Sequence, residues 1–294
     1  MTAETAGMRH RRALAIALCI SVTVIVIEVI GWLFTKSLAL LADATHLAVD
    51  SFGVLMALVA VTLAARPPTP QRTFGLQRAE MIIALFNAVL VTAVGLYILV
   101  TAIRGLLEPP EVASGSMLWF ALVATAGNAV SVLLLMKGQG ESLNVRGAFL
   151  EVLSDMLAAA ATVVAALVMI FTGFQRADAI AAMLIGVMII PRAYVLGREA
   201  VHVLMEGTPR DVDLGALRAS LLAVPGVAGV HDLHAWTITS GVRTASAHIT
   251  VEPGADQEAV LSGLHAALGS GYDIGHSTFQ LEPAGFSDPS PGHR

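Results

Sequence analysis

Cysteine and charge are what this chain is short of. Cys19 is the only cysteine in 294 residues and lies inside an apolar run, which excludes a disulfide framework and a thiolate metal cluster. Asp, Glu, Lys and Arg together make up 13% of the chain, against roughly 25% in an average soluble domain. The net charge of −5 offers no basic footprint for nucleic acid. There is no His-Glu-x-x-His pair of the kind an intramembrane metallohydrolase would use, so an enzyme is not expected. Long repeats and low-complexity tracts are missing as well. The start, MTAETAGMRHRRALAIALCI, lacks the short apolar core and small-residue cleavage site of a signal peptide, and reads as an uncleaved first span.

What is plentiful is apolar sequence: 56% of residues are hydrophobic and mean hydropathy is +0.76, the composition of an integral membrane protein. Charged residues mark off six apolar stretches, at 12–36, 36–66, 81–103, 112–136, 146–176 and 179–203. Each is long enough for the roughly 20 residues that cross a bilayer. The last is interrupted by Pro191, Arg192 and Arg198, so Arg192 is expected to snorkel to the interface. Odd connections carry Lys36, Arg104 and Arg176, whereas the N-terminus and even connections carry Arg9, Arg11, Arg12, Arg66, Arg72, Arg78, Lys137 and Arg146. The positive-inside rule then puts both termini in the cytoplasm.

After residue 206 the pattern changes. VDLGALRASLLAV has helical spacing, GVHDLHAWTIT and VRTASAHITVE read as strands joined by a Ser-Gly turn, QEAVLSGLHAAL as a capped helix and HSTFQLEP as a final strand. This α-β-β-α-β order predicts a small α+β domain with its helices on one face of a sheet. His231 and His234, three apart on one strand, should then point to opposite faces, with His234 and Trp236 sharing one. The end, AGFSDPSPGHR, reads as a disordered tail.

The informative stretch is LADATHLAVD. Asp43, His46 and Asp50 lie at i, i+3 and i+7, one face of a helix that should sit in hydrocarbon, where an ionisable residue is costly and by default functional. On the fifth span Glu151 and Asp155 are i, i+4 and share a face too. At about 1.5 Å per residue both pairs reach the middle third of the bilayer. Two antiparallel helices could thus gather one imidazole and three carboxylates, a set that suits a divalent transition ion. The same groups suit proton exchange, because the imidazole must be neutral to ligate and clustered carboxylates tend to share a proton. Asp43, nearer the outer end, reads equally as a ligand and as a gate or entrance. Glu28 stands open between helix contact and function, while Asn87 and Asn128 read as interhelical glue.

At these residues the chain resembles the cation diffusion facilitator family of divalent metal transporters. SLALLADATHLAVD is similar to its second-helix motif, with the metal-binding His-x-x-x-Asp falling on His46 and Asp50; SLNVRGAFLEVLSD is similar to its fifth-helix motif. RPPTPQRTFGLQRAE, LMEGTP and VPGVAGVHDLHAWTITSG are similar to the loop into helix three and the start of the cytoplasmic domain. The resemblance implies six transmembrane helices, a ferredoxin-like cytoplasmic domain, a homodimer, and proton-coupled export of divalent metal by alternating access. Zn²⁺ is the first candidate substrate, with Cd²⁺, Co²⁺, Fe²⁺ and Mn²⁺ behind it, and no resident cofactor is implied. The implied layout is a cytoplasmic N-terminal tail at 1–12, a transmembrane domain at 13–206, a dimerisation and metal-sensing domain at 207–283, and a tail at 284–294, in an inner (plasma) membrane. In the cytoplasmic domain His231 and His248 match metal-binding positions of some members. Where those members carry His and Asp near the last strand, this chain has Gln280 and Glu282, so His231, His248 and Glu282 are candidate cytoplasmic ligands. Zinc-transporting members usually have His where this chain has Glu151, which adds a negative charge; the site is expected either to retain one proton or to shift toward harder ions such as Mn²⁺, Fe²⁺ or Co²⁺, and Glu still binds zinc. The alternative is a non-transporting sensor or partner subunit acting through its cytoplasmic domain.

Overall fold

A computed structural model describes residues 11–136 and 143–286; the expected N-terminal tail up to residue 10, the fourth connection at 137–142 and the end of the expected tail at 287–294 lie outside them. Six helices, α1 (Arg11–Thr35), α2 (Leu38–Ala64), α3 (Ala79–Leu107), α4 (Ser114–Met136), α5 (Leu143–Thr172) and α6 (Arg176–Leu204), coincide with the six apolar stretches. All are long and apolar enough to cross a membrane. Pro191 does not break α6, which continues to Leu204; membrane helices tolerate proline because neighbouring groups re-satisfy the freed carbonyl.

The chain forms two compact units, one from residues up to Met56 together with Phe86–Leu196, the other from Ala57–Leu85 together with residues from Gly197 onward. In the first unit glycines let helices approach closely. A Cβ on Gly95 would stand 2.9 Å from Ile190 Cγ1 and one on Gly186 3.0 Å from Leu99 Cδ2, so α3 and α6 pack along a small-residue seam. Lys36, in the left-handed region at φ 59°, ends α1, its N–H reaching the Trp32 carbonyl at 2.8 Å. The next helix is capped from far along the sequence. Asp178, in the first turn of α6, accepts from Ser37 Oγ at 2.5 Å, from Leu38 N–H at 2.6 Å and from Ala39 N–H at 3.1 Å, filling the open end of α2.

The second unit holds the α+β fold: α7 (Leu214–Leu222), β1 (Val227–Thr239), β2 (Val242–Val251), α8 (Gln257–Tyr272) and β3 (His276–Pro283). Asp213 and Asp256 cap the two helices through their side chains. The sheet order is β1-β2-β3, the first pair antiparallel and the second parallel. Ala235, Ala245, Ala247 and Ile249 join Leu217, Leu221, Leu264 and Leu268 in its core. The polar residues of alternate register, His248, Gln280 and Glu282 among them, lie on the other face.

Candidate metal centre

In the membrane bundle His46, Asp50 and Asp155 converge: one ligand atom from each lies within 4.8 Å of the others. His46 Nδ1 is 3.5 Å from Asp50 Oδ2, one helical turn along, and His46 Nε2 is 3.7 Å from Asp155 Oδ1 on α5. Tetrahedral coordination with bonds near 2.0–2.1 Å places ligand atoms about 3.3 Å apart, close to the two separations from His46. His46 and Asp155 are buried, and one atom of each (Nδ1 and Oδ1) has no hydrogen-bond partner among the described residues, as is also true of Asp50 Oδ2. Buried polar atoms are rarely left unpaired.

Glu151 lines the same groove, one turn from Asp155 on α5. The groove, about 240 Å³, is bordered by Leu14, Leu18, Ser51, Val54 and Leu135, so it runs toward the bundle end where α1 begins and α4 finishes. Val24, Leu47, Ala124 and Ala159 pack together beside the site, and Ala39, Leu40, Met117, Ala121 and Ala166 form a further buried cluster toward the other end. Asp43 does not join the ligand group. It is fully buried, its carboxyl facing that of the equally buried Glu28 on α1. Asn87 sits against Gly53, where a Cβ would lie 2.9 Å from its Nδ2, and Asn128 is buried on α4.

A second cluster lies on the polar face of the sheet, where ligand atoms of His231, His248 and Glu282 fall within 4.8 Å of one another. Glu282 Oε2 is 2.9 Å from His231 Nε2 and Oε1 is 2.8 Å from His248 Nδ1, while Gln280 Nε2 donates to Glu282 Oε1 at 2.8 Å. The alternation expected along β1 fails here. Asp232 adopts φ 48°, and the register steps from His231↔His248 to His234↔Ser246, three residues on β1 against two on β2. This bulge puts His231 and His234 on the same face, and Asp232 Oδ1 bonds His234 Nε2 at 3.0 Å. His265 and His276 lie elsewhere, contacting Phe279 and Phe74 respectively.

Two residues without a reading in the sequence become legible only here. Asp178 signalled itself as one charge at the start of an apolar span, with nothing to name its partner on α2. Glu80, in the first turn of α3, accepts hydrogen bonds from Thr239 Oγ1 and, at 2.6 Å, from Ser240 Oγ at the tip of the β1–β2 hairpin. Nearby, Arg78 pairs with Glu206 at 2.7 Å.

The chain matches known proteins over most of its length. The family model described as the cation efflux transmembrane domain matches residues 14–205, and that of the cation efflux protein cytoplasmic domain matches 209–284. The metal cation efflux system protein CzcD of Cupriavidus metallidurans is 40% identical over 276 residues, 94% of this chain and 87% of that protein. A cadmium, cobalt and zinc/H(+)-K(+) antiporter of Bacillus subtilis is 34% identical across 93% of this chain and 89% of its own length. The zinc transporter ZitB of Escherichia coli is 34% identical across 93% and 88%.

Proposed function

The chain belongs to the cation efflux family, and we propose on that premise that it is a proton-coupled antiporter exporting divalent transition metal, Zn²⁺ first, from the cytoplasm. The observation that carries the proposal is the convergence of His46, Asp50 and Asp155 at the head of a groove lined by Glu151. An imidazole and carboxylates suit zinc, and the orphan atoms are those an ion would satisfy. Metal binding needs a neutral imidazole and ionised carboxylates, so loading releases protons and protonation releases metal.

With both termini cytoplasmic, in an inner membrane, the groove faces the cytoplasm, and the conformation is the loading one. Rocking of the helices would open the sealed half outward and close the groove. Residues 13–206 form the transport domain. Residues 207–283 form a domain that joins two copies, with metal at His231, His248 and Glu282 biasing the equilibrium between transporter states. Members named as cadmium, cobalt or zinc antiporters support this substrate range.

The test uses purified protein in liposomes holding a pH dye, with Zn²⁺, Cd²⁺, Co²⁺, Fe²⁺ (anaerobically) and Mn²⁺ added in turn. Metal-dependent proton flux that Asp155→Ala abolishes, with folding intact, is the expected result. No flux with any ion would favour the non-transporting sensor or partner instead.

A further inference from the structure

Helices α1, α2, α4 and α5 share one apolar layer, in which Val24, Leu47, Ala124 and Ala159 pack together. One turn from it toward the groove, each helix becomes polar. Ser21 stands there on α1, Asp50 and Ser51 on α2 and Asp155 on α5, and all four line the groove. On α4 the groove lies toward Leu135. Counting four residues that way from Ala124, as from Ala159 back to Asp155 on the antiparallel α5, reaches Asn128, with Ser131 a turn further on. Both belong to the buried stripe of α4, the helix face packed against α1 and α5.

The fold itself does not satisfy this pair. Asn128 and Ser131 are 1% and 0% exposed, yet Asn128 Nδ2 and Ser131 Oγ have no hydrogen-bond partner among the described residues. A hydroxyl inside a helix commonly bonds the carbonyl four residues back. Thr125 on the same helix does so at 2.7 Å, as do Thr92 on α3 at 2.8 Å and Thr162 on α5 at 3.2 Å; Ser131 does not. An amide kept to join two helices would find its partner across the interface, and the Asn128 Nδ2 finds none. Buried polar atoms are seldom left in that condition. Asp50 Oδ2 and Asp155 Oδ1, in the same layer, are unpaired as well.

We propose that Asn128 and Ser131 form the α4 wall of the metal centre and bind a water molecule carried on the ion. This rests on the reading of His46, Asp50 and Asp155 as its ligands. Glu151 lines the groove but stands outside the group whose ligand atoms converge. Three protein ligands leave one position of a tetrahedral ion open, and such sites hold water there. The groups that suit that water are neutral and can both accept and donate, as an amide and a hydroxyl do. A third carboxylate on α4 would instead add charge to the centre. Buried water makes about three bonds to polar groups that otherwise lack partners, and the ion, the amide and the hydroxyl supply them. Asn128 and Ser131 are therefore positioning residues: through the water they fix where the ion sits, and the ion loads without shedding its whole hydration shell.

The experiment uses the full-length protein carrying His231→Ala and Glu282→Gln, which disable the cytoplasmic cluster so that the membrane centre alone is read. Calorimetric titration with Zn²⁺ compares this background with Asn128→Leu, Ser131→Ala or Thr125→Val added to it. Asn128→Leu and Ser131→Ala are each expected to weaken zinc binding by about tenfold or more. Thr125→Val, which removes a hydroxyl its own helix already satisfies, should leave binding unchanged. Electron–nuclear double resonance on bound Co²⁺, in water enriched in the magnetic oxygen isotope, then reads whether a water oxygen is on the ion. The expected result is a coupling in the background protein that Asn128→Leu removes. Unchanged zinc affinity in either variant overturns the proposal, as does an equal loss in Thr125→Val. A Co²⁺ ion without water oxygen in the background overturns it too, and so does weakened affinity with the coupling intact, which would make the pair a packing element. Should Asn128→Leu fail to fold, Ser131→Ala carries both readouts. A background protein that binds neither Zn²⁺ nor Co²⁺ would sink the reading of His46, Asp50 and Asp155 as a metal centre, and this inference with it.

Discussion

Replacing Asp178 by Ala removes the acceptor for Ser37 Oγ, Leu38 N–H and Ala39 N–H at once. Ser37 and Ala39 are fully buried, and leaving a buried donor unpaired costs about 1–3 kcal/mol. Losing an ordinary N-cap costs about 0.5–2 kcal/mol even where water can replace it. The three losses are not independent, because Ser37 can swing its hydroxyl to another acceptor, so the expected destabilisation is about 3 kcal/mol rather than the full sum. For a protein of this size that is a fall in Tm of about 6–12 °C. The assay is thermal unfolding of detergent-solubilised protein, followed by the loss of its size-exclusion peak. Asp178→Asn, which keeps one oxygen but adds a donor among donors, should fall between wild type and Ala. Ser37→Ala should cost less stability in Asp178→Ala than in wild type, because there it removes only the bond that Ser37 Oγ accepts from Leu40 N–H at 3.2 Å. A Tm for Asp178→Ala within about 2 °C of wild type would refute the reasoning, since the cap would then carry no net stability.

Glu151→His should shift the preference of metal-driven proton flux toward zinc over manganese, because imidazole is the softer donor and removes a charge; unchanged preference would clear Glu151 of a selectivity role. Glu282→Gln, which removes the carboxylate between His231 and His248, should weaken zinc binding at the cytoplasmic cluster by more than about tenfold, measured by calorimetry on full-length protein already carrying Asp155→Ala. Gly105→Ala sets a methyl 2.6 Å from Leu38 Cδ1 and 3.3 Å from Ala179 Cβ; such overpacking costs about 1–3 kcal/mol, so a lower Tm is expected and an equal one would refute it. Arg243, hydrogen-bonded to Asp211, holds that exposed carboxyl below its usual range. A depressed carboxylate stabilises above its unfolded pKa and loses the effect as pH falls through the folded one, so any Tm gap between wild type and Asp211→Asn should close below about pH 4.

The spans were legible because apolar runs of the right length have few other uses, and the strands because alternation and turn residues agree on their ends. His46 and Asp50 were legible for the opposite reason, as charges where none should be. What stayed hidden depends on rotation or on distance along the chain. Nothing in LADATHLAVD says that Asp43 turns to Glu28 while His46 turns to Asp155; a few tens of degrees of helix rotation decide it. Asp178 and Ser37 meet across 141 residues, as do Glu80 and Ser240 across 160, without any local mark. The bulge at Asp232 reversed an inference from strict alternation, since Asp tolerates the left-handed conformation and one extra residue is enough to bring His234 onto the face of His231.

Among the buried carboxyls of this bundle, hydrogen bonding separates two kinds that burial alone does not. Asp178 is as buried as Glu28, Asp43 and Asp155, but three donors meet its carboxyl, so the fold satisfies it without a ligand. The other three, with His46, each bury at least one atom that has no hydrogen-bond partner among the described residues. A fold that merely needed polar contacts there would lose little by replacing them with apolar side chains of similar volume, as often happens with buried ion pairs. Keeping four such residues makes physical sense if protons and metal ions take turns completing them. Under the antiport proposed above, each exchange would change the charge of the bundle around the site and so couple the direction of rocking to what is bound.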